Sequence, residues 1–219
     1  MAFDGLRPTR LVVVVGTGTE VGKTYVSARL LRELRGEGLI VAARKPVQSF
    51  DADDHLTDAH VLADASGEEP SVVSPRHRWL GVPYAPPMAA EVLERPPFSV
   101  EDLAAELDWP LPAPDIGMIE TVGGVRSPMA VNGDAISFIE LIQPDIVLIV
   151  ADAGLGTIND VRLTLEAVDR GAHVATPIVV LNRFDPGIDL HRRNREWLTQ
   201  RLEAEVLVSV PAVLDRLRP

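Results

Sequence analysis

Of the 21 Lys and Arg residues in this 219-residue chain only two are lysines, Lys23 and Lys45. A compact ammonium at two positions of an otherwise Arg-only cation set suits a point charge on phosphate or carboxylate. Lys23 closes Gly16-Thr-Gly-Thr-Glu-Val-Gly22-Lys23-Thr24, which follows the aliphatic run Arg10 to Val15 and precedes apolar positions at Val21, Val26, Leu30, Leu31 and Leu34. Strand, Gly-rich turn and amphipathic helix are the context of a P-loop. Backbone N–H groups and a helix N-terminus cradle an anion there, the Lys reaches the β- and γ-phosphates, and the Thr hydroxyl ligates Mg²⁺. The spacing is not the usual one: five residues separate Gly16 from Gly22 where four are standard. A plain βα turn with a fortuitous Gly-Lys-Thr is the simpler reading, and the agreement of all four features weighs against it.

A hydrated Mg²⁺ needs carboxylates beside the phosphates. Glu120 ends an apolar strand and is followed by Thr-Val-Gly123-Gly124, where glycines let the backbone approach a ligand. A second acid must come from Asp51, Asp53, Asp54 and Asp58, and residue type does not choose among them. Gly156-Thr157-Ile158-Asn159 opens a helix, a natural carboxylate site as well as an ordinary N-cap position. Asn182 ends another apolar strand, where Asn is also a common turn residue.

The elements that would position these residues alternate. Strand Arg10–Val15 and its helix are followed by strand Leu39–Ala43, running into Arg44-Lys45-Pro46, and by helical spacing over His55–Ala65. From Glu68 to Pro97 the chain is rich in Pro and aperiodic apart from a short helix at Met88–Leu93. Ser99 caps a helix to Leu107 with Glu101 and Asp102 in its first turn. Asp115–Glu120 reads as a strand, Ile136–Ile142 as a helix, Asp145–Ala151 as a strand, Thr157–Arg170 as a helix closed by Gly171, Pro177–Leu181 as a strand and Leu190–Ala204 as a helix. Repeated βα units with fully apolar strands predict a three-layer α/β/α, P-loop NTPase-like domain around a mostly parallel sheet. Residues 1–219 read as one domain. Ligands of such sheets bind beyond the carboxyl ends of the strands, where Gly16–Thr24, Lys45–Ser49, Glu120–Gly124 and Ala153–Asn159 all fall.

Composition excludes other classes. Hydrophobic residues at 46% and charged ones at 24% fit a globular domain. No apolar run approaches the roughly 20 residues of a membrane span, and Met1–Thr9 has no apolar leader core. Absence of cysteine rules out thiolate catalysis and cysteine-ligated metal and suits the cytoplasm. A net charge of −11 argues against nucleic acid as a partner. The histidines, His55, His60 and His77 among them, show no ligand spacing. Trp79, Trp109 and Trp197 read as packing anchors, and Arg192-Arg193-Asn194-Arg195 as a solvated helix face.

Taken in order, Gly16 to Thr24, Lys45-Pro-Val-Gln-Ser49, Asp58-Ala59, Glu120-x-x-Gly-Gly124 and Gly154-Leu-Gly-Thr-Ile-Asn159 resemble the dethiobiotin synthetase family over almost the whole chain, including its five-residue P-loop gap. The resemblance implies an ATP- and Mg²⁺-dependent ligase. In that family diaminopelargonate and CO₂ form a carbamate, ATP phosphorylates it, and the second amine displaces phosphate. It implies ATP contacts from Gly18, Thr19, Glu20, Val21, Gly22, Lys23, Thr24 and Tyr25, with adenine at Asn182 and Pro211. It implies Mg²⁺ on Thr24, Asp58 and Glu120, and catalytic roles for Lys23, Lys45 and Thr19. Substrate would meet Ser49, Gly123 and Gly124, and its carboxylate would be held by Gly156, Thr157, Ile158 and Asn159 across a homodimer interface. Asn194 aligns with a substrate-contacting Tyr of some members.

Three departures stand out: Thr121-Val122 where the loop is normally Gly-Ala, Phe50 where Gly is usual, and Asp160 where His is common. They predict an altered substrate fit, a rerouted loop and an added negative charge. A paralogue that phosphorylates and ligates another carboxylate is one alternative. A partitioning-type ATPase switch is another, although its extra P-loop Lys is Gly18 here. A homologue that binds nucleotide without turnover is the third.

Overall fold

The computed structural model describes residues 7–171 and 176–219; the N-terminal reading above falls, up to Leu6, outside the described residues. β1 (Arg10–Gly16) sends Val12 and Val14 to one face and Leu11, Val13 and Val15 to the other, all fully buried. A strand apolar on both sides demands helices on both sides. After the glycine-rich turn, α1 (Lys23–Gly36) buries Val26, Leu30, Leu31 and Leu34 along one stripe. At about 1.5–3 kcal/mol for each large aliphatic side chain fully buried, that stripe fixes the helix, and with it the turn, to the sheet.

The chain continues through β2 (Val41–Arg44), β3 (Gln48–Ser49), α2 (Asp58–Ser66) and the one-turn α3 (Pro70–Val73). A 3-10 turn at Arg76–Arg78, β4 (Trp79–Leu80), α4 (Pro86–Val92) and α5 (Val100–Ala105) complete the Pro-rich excursion. Then come β5 (Ile116–Glu120), the hairpin β6 (Pro128–Ala130) and β7 (Gly133–Asp134), α6 (Ala135–Ile142), β8 (Ile146–Asp152) and α7 (Thr157–Gly171). β9 (Thr176–Asn182), α8 (Asp189–Arg201), β10 (Glu205–Leu207) and α9 (Val210–Leu217) end it.

Six strands form one parallel sheet in the order β10-β9-β8-β1-β5-β2. The chain leaves β1 for the far edge at β2 and later returns on its other side at β8, so the Gly-rich turn sits at the switch point where such sheets open a crevice. α1, α2, α3 and α9 cover one face, with Leu62, Val73 and Leu214 in the core; α4 to α8 cover the other, with Phe98, Leu103, Phe138, Val161 and Leu198. Among the described residues no helix is long and apolar enough to cross a membrane.

Several boundaries differ from expectation for local reasons. α2 starts at Asp58 rather than His55, because Thr57 and His60 form a reciprocal cap. The helix expected to reach Ala204 stops at Arg201, and Glu205–Leu207 pairs instead with Ile178–Val180 as an edge strand. Three residues with one buried side chain carry no strand signal of their own. The 128–134 hairpin and the β3–β4 pair are short for the same reason, while α9 could have been read from Val213, Leu214 and Leu217. Ser99 caps α5 as expected, accepting the Asp102 N–H while the Asp102 carboxylate accepts the Ser99 N–H.

Candidate active site

The turns after β1, β2 and β5 enclose a cavity of about 770 Å³ lined by Thr19, Lys23, Thr24, Lys45, Ser49, Asp58, Glu120 and Gly123, among others. Beside it a cavity of about 700 Å³ is lined by Tyr25, Asn182, Phe184, Ser209 and Pro211. Gly22 and Arg183 border both, so the P-loop is the sill between a polar chamber and a more apolar slot.

Three oxygens converge in the first chamber. Thr24 Oγ1 lies 2.9 Å from Asp58 Oδ1 and 2.8 Å from Glu120 Oε1. One hydroxyl proton can satisfy only one carboxylate at a time, so the set suits a cation better than it suits itself. Glu120 is 1% exposed, and its Oε2 has no hydrogen-bond partner among the described residues. Two carboxylates, a hydroxyl and a phosphate-sized space match the preference of Mg²⁺ for few protein ligands plus substrate oxygens. Asp51, Asp53 and Asp54 are exposed and shape a turn, with Asp51 accepting the N–H groups of Asp53 and Asp54. Of the four acids only Asp58 reaches Thr24.

Both lysines are buried here. Lys45 Nζ stands 2.7 Å from Glu120 Oε1, 2.9 Å from Asp58 Oδ2 and 3.2 Å from the Thr121 carbonyl. Burial would lower its pKa, but the two carboxylates outweigh that and hold it above the ordinary lysine value; Lys45 in turn holds the Asp58 carboxyl below the usual range. Lys23 Nζ donates to the carbonyls of Gly123 at 2.7 Å and Gly18 at 3.2 Å. Burial, helped by repulsion from Lys45, lowers its pKa to about 8 against the pull of Glu120 and Asp58. Two neutral carbonyls are weak partners for an ammonium, which leaves Lys23 ready for an anion.

The turn is held by its neighbours. Gly22 has φ 94°, and Asn182 Nδ2 donates to the Val21 carbonyl at 2.9 Å. The next residue, Arg183, donates to the Glu20 carbonyl and to Asp152 Oδ2, both at 2.9 Å. Asp152 Oδ1 also accepts the Gly154 N–H. Arg183 thus joins the P-loop tip to the loop before α7, a role no sequence spacing announces. Its ion pair is exposed and contributes under about 1 kcal/mol to folding. Arg183→Ala is therefore expected to leave the thermal midpoint within about 4 °C, yet weaken nucleoside triphosphate binding about threefold to tenfold in a fluorescence titration by loosening the Glu20 carbonyl.

The departures resolve differently. Phe50 keeps a negative φ: its N–H donates to the Leu80 carbonyl and its ring meets Trp79 edge-on at 6.0 Å, so it is tied to β4 just past the end of β3. Thr121 turns away from the cavity and its hydroxyl donates to the Val14 carbonyl, whereas Val122 does line the cavity. Asp160 is exposed and accepts from Asn159 Nδ2. Gly156, Thr157, Ile158 and Asn159 line neither chamber; Gly124 packs on the P-loop backbone near Thr17 and Gly18. Asn194 is buried and clamps the carbonyls of Ala153 and Gly154. His60 packs on Trp79, and His77 pairs with Glu106. Arg192 and Arg193 pair with Asp189 on an exposed face.

A family model described as an AAA domain matches residues 10–217. A relative from Haloferax mediterranei, named ATP-dependent dethiobiotin synthetase BioD, is 37% identical over 90% of this chain and 82% of its own length. One of the same name from Anaeromyxobacter sp. (strain K) is 33% identical over 95% of this chain and 94% of its own. Among solved structures, a plasmid partition protein from Borrelia burgdorferi bound to AMPPNP aligns with TM-score 0.56 and 14% identity over 93% of this chain and 87% of that one. A second from the same organism gives TM-score 0.57 and 13% identity over 96% and 95%. At such identity these two share the fold alone.

Proposed function

The chain belongs to the ATP-dependent dethiobiotin synthetase family, and from that premise we propose how its own residues close the ureido ring of dethiobiotin. The reaction joins 7,8-diaminopelargonate and CO₂ at the expense of ATP. One amine attacks CO₂ and loses a proton, giving a carbamate. A carbamate oxygen attacks the γ-phosphoryl group as the bond to ADP breaks. The second amine then attacks the carbamoyl carbon, loses a proton and expels phosphate.

The observation that carries this reading is the convergence of both lysines and the three-oxygen set on one cavity. An anionic carbamate must meet an anionic γ-phosphate, and that encounter requires positive charge already in place. In our reading the P-loop N–H groups from Gly18 to Tyr25 and the Lys23 ammonium take the triphosphate, and Thr19 at the cavity mouth orients the terminal group. Lys45 neutralises the carbamate and the phosphoryl in transfer. Thr24, Asp58 and Glu120 would hold Mg²⁺, which supplies charge neutralisation and alignment of the phosphate oxygens. Tyr25, Asn182 and Pro211 line the slot for adenine, and Ser49 and Gly123 border the substrate, with Gly124 behind them against the P-loop backbone.

Among the described residues, the cations that line the chamber already have other roles, Lys23 and Lys45 for phosphate and carbamate and Arg183 paired with Asp152, which supports supply of the carboxylate site from the α7 start of a second copy: Gly156, Thr157, Ile158 and Asn159. Leu155, 92% exposed beside that turn, and Leu163 on the same helix give such a contact apolar area. We read the enzyme as a cytoplasmic homodimer whose residues 1–219 act as one domain.

The test is phosphate release and dethiobiotin formation, followed by mass spectrometry. Product is expected only when diamine, bicarbonate, ATP and Mg²⁺ are all present. Glu120→Gln, which keeps the shape but removes the charge, is expected to raise the Mg²⁺ concentration for half-maximal rate at least about tenfold. Nucleotide binding with no dethiobiotin from the complete mixture overturns the reading.

A further inference from the structure

Gln48 has a divided side chain. It sits in β3, is 2% exposed, and borders the same chamber as Lys45 and Glu120. Its Oε1 accepts the Ala59 N–H at 3.1 Å, in the first turn of α2 and one residue beyond Asp58. That N–H needs an acceptor, which fixes the amide orientation. The Nε2 group is then buried with no partner among the described residues. A buried donor without an acceptor is costly to folding and is met elsewhere by protein or bound ligand. Among the described residues, three that line this one chamber each carry a buried polar atom without a partner: Glu120 Oε2, Ser49 Oγ and Gln48 Nε2. Their clustering points to an occupant rather than to scattered packing faults.

The donor's chemistry narrows the occupant. An amide NH₂ gives two N–H bonds and accepts none, so it selects an oxygen rather than an amine. Phosphate oxygens already have the P-loop amides and Lys23. The carbamate has two oxygens, one attacking phosphorus, and Lys45 is its only assigned cation. We propose that Gln48 Nε2 donates to the carbamate oxygen and holds the CO₂-derived group in plane beside Lys45, while Gln48 Oε1 steadies the helix start that carries Asp58. This inference rests on the function proposed above. It makes Gln48 a substrate-reading residue that the P-loop motif does not include.

Two substitutions separate the halves of the side chain. Gln48→Glu keeps an oxygen for the Ala59 N–H and removes the donor; Gln48→Met removes both and adds no charge. With Mg²⁺ saturating, both are expected to lower kcat/KM for diamine and for bicarbonate at least about tenfold, equivalent to about 1.4 kcal/mol. KM for ATP should stay within about twofold of wild type. Both should lower the thermal midpoint, Gln48→Met by losing the α2 contact and Gln48→Glu by burying a carboxylate in a chamber that already holds Asp58 and Glu120, so the split between the kinetic constants carries the test. If Gln48→Glu keeps both kcat/KM values within twofold, the donor is satisfied by trapped water and the proposal fails. A loss that falls equally on KM for ATP also overturns it, since that is the mark of a structural role. Wild-type protein that makes no dethiobiotin would instead refute the functional reading on which the inference stands.

Discussion

Lys45→Met is expected to lower dethiobiotin turnover by at least about a hundredfold, and to destabilise the protein most when Mg²⁺ is absent. The side chain is 3% exposed and lies between Glu120, 1% exposed, and Asp58, whose side chain is 43% exposed. Removing one partner of a buried ion pair typically costs about 3–5 kcal/mol, because the remaining charge stays out of water. Asp58 can recruit solvent, so the lower end, about 3 kcal/mol, is the expectation here. The two lysines balance the two carboxylates, and the variant leaves that balance one positive charge short. Mg²⁺ should restore part of the lost stability by replacing that charge, but it cannot restore turnover, because the carbamate loses its nearest cation. Urea melts with and without Mg²⁺, set beside mass-spectrometric turnover, check both halves. Turnover within tenfold of wild type would reduce Lys45 to a structural counter-ion.

Gly22→Ala is expected to weaken ATP binding about 30- to 100-fold, or about 2–3 kcal/mol, measured by titration calorimetry. Gly22 has φ 94°, in the left-handed region, where an L side chain costs roughly 1–2 kcal/mol. A Cβ there would lie 2.1 Å from Asn182 Nδ2. Asn182 can escape only by rotating off the Val21 carbonyl, to which it donates at 2.9 Å, and into the slot assigned to adenine. The substitution therefore strains the turn, frees its Val21 carbonyl and obstructs the base at once. The double variant Gly22→Ala/Asn182→Ala divides these effects. Removing the clash should recover part of the folding stability, while ATP affinity stays low because the turn is still strained. Full recovery of affinity would show that the backbone at Gly22 has little to do with the phosphates.

Much of this site is legible in the sequence because its chemistry follows its local context. Gly16 to Thr24 needs a strand before it and a helix after it, and both announce themselves through apolar spacing. Glu120 is marked by the strand it ends and the glycines beyond it. Asp58 is different: residue type leaves it level with Asp51, Asp53 and Asp54, and what singles it out is the Thr57–His60 cap, which starts α2 there and aims its first carboxylate at Thr24. Arg183 gives no signal, and Gln48 none beyond its place in the Lys45–Ser49 run, since each acts through a bond to backbone elsewhere in the chain, at Glu20 and Ala59. β10 and the small hairpin are unreadable because pairing, rather than their own few residues, creates them.

The double attachment of Thr121 to β1 has a consequence for motion. Its N–H and its hydroxyl both end on the Val14 carbonyl, at 3.0 and 3.1 Å, so the carboxylate of Glu120 is carried by a pair of interior strands of the sheet. Asp58 is carried by a rim helix behind the exposed stretch from Asp51 to Leu56. Buried central strands exchange their amide protons only when the whole domain opens, whereas rim helices behind exposed loops open locally and often. The two acids of the proposed ion site therefore belong to regions that breathe on different free-energy scales, with the core acid as the fixed jaw and the rim acid as the moving one.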